Sequence, residues 1–258
     1  MADAEKTAST HDTATWFEQG DFSVRFGWGP NGLRRLAPTA DVVVIIDVLS
    51  FSTSVDVALG RGAVVLPYKW HDGSEHDYAV EHDAIVAEKG RYEHVPGRLT
   101  LSPHSLTTVD TGTRIVLPSP NGSAQTFGAR DAGATTVRVA CLRNASAVAA
   151  ASTGGVVSVI AAGERWRGAT GPLRPAYEDL LGAGAVISAL ETKGASPEAR
   201  AAAAVFNDAR PDLRELLMAC GSGVELIEKG AVADVELAAA HDASDVAPTL
   251  DGVTLIPG

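Results

Sequence analysis

The chain has 258 residues, of which 45% are apolar and 21% charged, the length and composition of one ordinary globular domain or two small ones. Collagen-like repeats and whole-chain disorder are excluded. With 21 basic against 32 acidic residues the net charge is −11, which argues against nucleic acid or an anionic membrane surface as the main partner, because both need an excess of Lys and Arg on some face.

In chain order, the polar and acidic start lacks both a basic n-region and an apolar h-region, so it does not read as a signal peptide, and no apolar run approaches the ~20 residues that span a bilayer. Residues 1–20 read as a disordered tail and 21–258 as a single α/β domain of a soluble, cytoplasmic protein, a reading that admits a homo-oligomer. Asp41 to Asp47 is a continuous β-branched run, suited to a strand buried on both faces of a parallel sheet. Ser50 to Ser54 offers several N-caps for a short helix that ends at Gly60-Arg61-Gly62, and Ala63 to Pro67 reads as the next strand. Segment 71–94 reads as surface helix and loop, and 95–106 as irregular. The same grammar returns with Arg114 to Leu117 as strand, Pro118 to Ser123 as polar loop, Ala124 to Ala132 as helix and Thr135 to Val139 as strand. Val156 to Ala161 is a further strand. It runs into a glycine-rich loop with Arg165 and Arg167, and helices follow over 180–190 and 199–206. A helix over 213–229, interrupted at Gly221-Ser222-Gly223, would lead to a last strand, Val232 to Leu237. Three helix, Gly-Ala, strand units predict a three-layer α/β/α fold with a largely parallel or mixed sheet.

Ligands of open α/β sheets sit beyond the carboxyl ends of the strands, and the polar residues collect there. Asp47 ends one strand, Ser119 and Asn121 follow a second, and Glu164 and Arg165 follow a third. A carboxylate at a strand end with a helix start after it offers an oxygen ligand for Mg²⁺ and backbone N–H groups for an anion. Each residue also has a plainer reading. Ser52, Thr53 and Ser54 are good helix caps, Asn121-Gly122 is a turn dipeptide, and Glu178-Asp179 at a helix start favours the helix dipole. Asp47 is harder to explain away, because a carboxylate closing an apolar strand needs hydrogen bonds or a cation. Nucleophile signatures fail: no Gly-x-Ser-x-Gly elbow is present, and Cys141 lacks an arginine six residues on, so a buried inert thiol is the natural reading. With two cysteines outside any Cys/His cluster, neither a disulfide framework nor a zinc ribbon is expected.

Taken together these pieces resemble the 2-phosphosulpholactate phosphatase family. The likeness lies in Asp47-Val48-Leu49 with Ser52-Thr53-Ser54, in Asn121-Gly122-Ser123, in the stretch Leu142 to Ala149, in Ala161-Ala162-Gly163, and in Glu178-Asp179 with Ala183-Gly184; Leu101-Ser102-Pro103 adds a turn. Two arginines of the family pattern are absent: Ser50-Phe51 stands where one would start the first loop, and Cys220 to Val224 where another would lie. The resemblance implies Mg²⁺-dependent hydrolysis of a small phosphorylated acid. On that reading Asp47, Glu178 and Asp179 hold the metal; Ser52, Thr53, Asn121, Gly122 and Ser123 cradle the phosphate; and Asp47, Glu164 and Arg165 serve catalysis. The alternative is a non-catalytic binder of a phosphorylated or carboxylated metabolite on the same scaffold.

Overall fold

A computed structural model of the chain describes residues 15–69, 72–88, 97–166, 171–190 and 194–258. Thr15–Glu18 forms a 3-10 turn, and Gln19 then offers its side-chain amide to the first strand: Nε2 donates to the Phe26 carbonyl (2.8 Å) and Oε1 accepts from the Phe26 N–H (3.1 Å). The expected tail is thus built into the fold from residue 15, while 1–14 lie outside the described residues.

The elements follow as β1 (Val24–Trp28), α1 (Gly29–Leu36), β2 (Val42–Ile46), α2 (Phe51–Gly60), β3 (Val64–Tyr68), α3 (Ser74–Glu81), β4 (Ile85–Val86) and α4 (Pro103–Leu106). Next come β5 (Arg114–Pro118), α5 (Gly122–Asp131), β6 (Thr136–Ala140), α6 (Ala145–Ala151), β7 (Val157–Ala161) and a two-stranded ribbon of β8 (Glu164–Arg165) and β9 (Leu173–Arg174). The chain closes with α7 (Tyr177–Ala189), α8 (Pro197–Ala209), α9 (Leu213–Ala219), α10 (Gly221–Glu228), α11 (Val232–Ala238), β10 (Thr249–Asp251) and β11 (Thr254–Ile256). The segment read as surface helix and loop over 71–94, which holds α3, and the one read as irregular over 95–106, which ends in α4, are described only in part, since 70–71 and 89–96 lie outside the described residues. No helix among the described residues is long and apolar enough to cross a membrane.

The large sheet has the order β1-β7-β2-β6-β10-β11-β3-β5-β4. Strands β1, β7, β2 and β6 are parallel to one another, and so are β3, β5 and β4. The hairpin β10-β11 sits between these blocks, antiparallel to β6 on one side and to β3 on the other, so the blocks run in opposite senses. The fold is therefore α/β with a mixed, mostly parallel sheet, as expected. Unit β2-α2-β3 leaves the first block for the second, and β5-α5-β6 returns. Sheet twist of about 20–25° per strand pair accumulates to about 100–125° between β2 and β5, which lets oppositely directed strands turn their carboxyl ends to a common side.

Alternate strand residues feed different layers. Val44, Ile46 and Val159 pack with Leu181 and Ile187 of α7 and Phe206 of α8, whereas Val43, Ile45 and Ile160 pack with Leu33 and Leu36 of α1 and Ala129 of α5. In the second block, Val65, Ile115 and Leu117 meet Val55 and Leu59 of α2 and Leu106 of α4, while Leu66 and Val116 meet Ala79 of α3. Burial of both faces is what the unbroken apolar run at 42–46 encodes.

One expected strand is a helix. Val232 to Leu237 alternates weakly in hydropathy, but burial follows Ala231, Asp234, Val235 and Ala238, a spacing of three to four, and the segment winds as α11. The break expected near Gly221 is present: α9 ends at Ala219, Cys220 is extended, and α10 starts at Gly221.

Helix α7 lies unusually close to its neighbours. A Cβ on Gly184 would stand 2.2 Å from the Ala202 carbonyl oxygen of α8, and one on Gly182 2.7 Å from Val48 Cγ2 beyond β2. Gly184→Ala is expected to destabilise the fold although alanine is the better helix former by about 1 kcal/mol, because overpacking against a backbone carbonyl exceeds that gain with a cost of about 1–3 kcal/mol or more. Urea unfolding should show the loss. Gly60→Ala, where a Cβ meets nothing within 4 Å, should show none.

Candidate active site

The site is assembled from two strand-to-helix turns and the turn that leads from β7 into the β8-β9 ribbon. In the first, the Asp47 N–H donates to Ser52 Oγ (2.9 Å), its carbonyl accepts from the Ser52 N–H (2.8 Å) and its Oδ1 accepts from the Phe51 N–H (3.3 Å). Thr53 Oγ1 donates to the Val48 carbonyl (2.7 Å). Ser52 and Thr53 are therefore buried with their hydroxyls committed to the turn itself. A buried hydroxyl must be bonded, and the nearest free groups are the backbone of its own turn. What the two residues give the site is the placement of Asp47.

The second turn repeats the device. Ser119 Oγ accepts from the Gly122 N–H (3.1 Å), and buried Ser123 Oγ donates to the Leu117 carbonyl (3.1 Å). Gly122 brings the two turns together, since a Cβ there would lie 2.2 Å from the Phe51 ring and 2.8 Å from Asp47 Oδ2. Half-buried Asn121 donates from Nδ2 to Glu164 Oε1 (3.2 Å), an oxygen that also accepts the Arg165 N–H (2.8 Å). Asn121 thus meets Glu164 and Arg165, which lie far from it in sequence.

The third turn follows β7, and Asp179 locks it to the first. Asp179 Oδ1 accepts from the Val48 N–H and Oδ2 from the Gly163 N–H, both at 2.8 Å. Burial, then the charges of Glu178 and Asp47, hold the Asp179 carboxyl well above the usual carboxylate range, against the pull of its two N–H donors. Glu178 Oε2 lies 3.5 Å from Cys220 Sγ, and burial together with the Glu178 charge pushes that thiol up to about 12.

Asp47, Glu178 and Asp179 therefore share one electrostatic neighbourhood. Among the described residues no group of three or more His, Cys, Asp or Glu side chains stands arranged to hold a metal ion. Asp179 in particular carries a backbone N–H on each oxygen. Asp47 and Glu178 remain as hard oxygen donors, and Mg²⁺ is commonly held by one or two carboxylates with water and substrate oxygens completing its shell. That donor chemistry fits the ion, with two protein ligands rather than three.

The sequence reading put the cationic role on Arg165, whose Nη1 donates to the Gly171 carbonyl (3.1 Å) inside its own loop; Arg167 lies outside the described residues. Arg174 escaped that reading. Its backbone stands opposite that of Glu164 in the β8-β9 ribbon, its Nη2 donates to Ser222 Oγ at the start of α10 (3.0 Å), and its guanidinium sits 5.7 Å from the Trp166 ring centre. Its neighbour at that helix start is Cys220, which touches Glu178. Gln125 was also missed. It lies one helical turn after Asn121, a spacing that puts both on one face of α5, and its Nε2 donates to the Ala162 carbonyl (3.2 Å). Cys141 is fully buried, and burial followed by the nearby Asp56 charge raises its thiol to about 12, consistent with an inert core residue.

A family model described as 2-phosphosulpholactate phosphatase matches residues 31–252, most of the chain. Among curated proteins, none matches it.

Gly122→Ala is expected to damage this site more than the fold. The added methyl must displace the Phe51 ring or the Asp47 carboxylate, and a misplacement of about 1 Å can cost 10²-fold in turnover. Phosphate-ester turnover should fall by at least about tenfold, with a loss of stability limited to about 1–3 kcal/mol. Steady-state kinetics and thermal melts on one preparation separate the two effects.

Proposed function

The chain belongs to the 2-phosphosulpholactate phosphatase family, enzymes that hydrolyse phosphoric monoesters, and from that premise we propose that it is a Mg²⁺-dependent phosphatase acting on a small phosphorylated acid. The observation that carries the reading is the gathering of Asp47 and Glu178 beside the clamping Asp179, which ties the turn after β2 to the turn after β7. A cluster of buried carboxylates is costly without a cation, and a divalent ion offsets that cost.

Asp47 and Glu178 would hold the ion. When bound, Mg²⁺ supplies a Lewis acid for a phosphoryl oxygen and lowers the pKa of a bound water. The chain's own residues do the positioning. Asp179 fixes the end of β2 against the start of the ribbon, so Asp47 and the Glu164-Arg165 pair keep their separation. Glu164 in turn orients the Asn121 amide and the Arg165 backbone through one shared oxygen. The start of α5 presents the positive end of a helix dipole beside Asn121, which suits an incoming phosphate. Arg165 and Arg174 supply positive charge against that which develops on the phosphoryl group. The Cys141 thiol, raised to about 12, stays protonated at neutral pH and does not attack.

Phosphate release from a panel of small esters should require a divalent ion, stop in excess chelator and return with added Mg²⁺. Asp47→Asn should lower kcat by about 10²-fold or more, and Cys141→Ser should leave it within a factor of ten. Undiminished turnover in chelator would overturn the metal assignment, and abolished turnover in folded Cys141→Ser would restore the thiol as nucleophile.

The two arginines missing from the family pattern bear on the substrate. Charge-assisted hydrogen bonds are worth about 1.5–3 kcal/mol each, so losing two weakens transition-state binding by about two to four powers of ten where nothing offsets them. A smaller or less anionic phosphate ester is therefore expected to show a higher kcat/KM than phosphosulpholactate itself. A clear preference for the sulphonated substrate would instead assign the missing charge to Arg165 and Arg174, to be checked by mutation of each to Ala.

A further inference from the structure

Where α7 packs against both α6 and α8 lies a cavity of about 340 Å³, whose polar lining among the described residues is Ser146, Ser188, Asn207, Arg210, His241 and Asp242. We infer that it binds a small zwitterion, a molecule of amino-acid kind that carries both a carboxylate and an ammonium group.

The two charges of the lining stand on different walls. Arg210 directly follows α8, and its guanidinium makes no hydrogen bond or ion pair with any described residue, so its planar fork of N–H donors is open to a carboxylate. Asn207 stands three residues before it, on the same face. Ser188 Oγ donates to Asn207 Oδ1 (3.4 Å), which leaves the Asn207 Nδ2 as a further donor beside Arg210. Asp242 belongs to the opposite wall, where its Oδ1 accepts the Ser146 N–H (2.9 Å) and its Oδ2 the Ser146 hydroxyl (2.7 Å) at the start of α6. Each oxygen keeps a second lone pair. With 32% of its side chain exposed, the carboxylate is within reach of an incoming ammonium. His241 feels both charges: its Nε2 lies 3.3 Å from Asp242 Oδ2, and its ring rests 5.2 Å from that of Phe206. Burial, opposed by Asp242 and aided by Arg210, holds its imidazole below the usual range, so it is neutral at neutral pH. The cavity then presents one positive and one negative charge. A plain anion is repelled by Asp242 and a plain cation by Arg210, whereas a zwitterion meets a partner at each.

This cavity is separate from the carboxylate cluster. Ser188 lies ten residues after Glu178, about 15 Å further along α7, and none of the described lining residues belongs to the proposed phosphoryl site. The inference therefore stands apart from the phosphatase reading. The volume lies near the lower edge of the roughly 300–1,000 Å³ usual for small-molecule sites, which limits the ligand to a short carbon skeleton lying against Ala189. The backbone of the acidic wall is held firmly: Asp242 adopts a φ of 49°, in the left-handed region, and its N–H donates to the Leu142 carbonyl (3.1 Å). Asparagine tolerates that conformation as aspartate does.

Titration of the full chain at neutral pH with L-alanine, β-alanine, propionate and ethylamine, followed by NMR, tests the inference without turnover. At least one of the two zwitterions should bind saturably and about tenfold more tightly than propionate and ethylamine, each of which lacks one of the charges. Arg210→Met should bring that zwitterion down to the affinity of ethylamine, and Asp242→Asn should bring it down to that of propionate. In the wild type, the His241 ring signals should move with the zwitterion over its binding range, a readout that needs no variant to fold. Propionate binding as tightly as both zwitterions would make this a plain anion site, and ethylamine doing so a cation site; either result overturns the assignment. So would a lack of saturable binding by both zwitterions, or a preference for them that survives in Arg210→Met and in Asp242→Asn. The tighter binder of L-alanine and β-alanine then gives the spacing of the two charges.

Discussion

The arrangement depends on one carboxylate. Asp179 accepts the Val48 N–H on one oxygen and the Gly163 N–H on the other, and so spans the exits of two neighbouring parallel strands. Parallel strands diverge into separate loops at their carboxyl ends, where backbone donors lose their ladder partners. A side chain that bonds both sets the spacing of the two loops, and everything placed by those loops follows. Asp47 lies one residue before Val48, and Glu164 one residue after Gly163. The cost is a buried carboxyl beside two others, visible in its displaced proton affinity. Glycines 182 and 184 make the span attainable, because they let α7 settle against β2 and α8 closely enough for Asp179 to reach.

The hydroxyl-rich turns have a related logic. Ser52, Thr53 and Ser123, which the family resemblance sets in a phosphate cradle, bind backbone within their own turns through their side chains, as Ser119 also does. Their hydroxyls are the mortar of the two turns. The groups they leave facing one another are Asp47 and the bare backbone of Gly122, which no other residue type could replace without moving the Phe51 ring.

Much of this was legible in the order of residues. The strand at 42–46 announces itself by an apolar run that two layers bury, and the placing of Asp47, Asn121, Glu164 and Arg165 at strand ends follows from the rule for open sheets. The carboxylate cluster was legible too, although not that Asp179 would serve as a clamp, since that depends on two amides far from it in sequence. Arg174 and Gln125 were hidden for a similar reason. One acts across a two-stranded ribbon and the other across a helix-strand contact, and neither stands in a motif. The misread strand at 232–237 shows the limit of alternation over a short segment, where six residues cannot separate a period of two from one of 3.6. The central hairpin had a signal in Asp251-Gly252, with Gly252 at φ 58°, but its strands of three residues fall below what a hydropathy pattern can mark.

That hairpin has a consequence for how the chain reaches its final form. The strands of the two parallel blocks lie within residues 24–161, but β6 and β3 have no direct ladder between them, and what joins them is encoded much further on, in residues 249–256. During vectorial synthesis each block would expose an unpaired inner edge until the hairpin at 249–256 has emerged, and such edges are open templates for pairing with other chains. Completion of the sheet then waits on contacts of high sequence separation, slow by topology. Residues 249–256 act as a keystone, and the two blocks must be kept from neighbouring chains until that hairpin arrives.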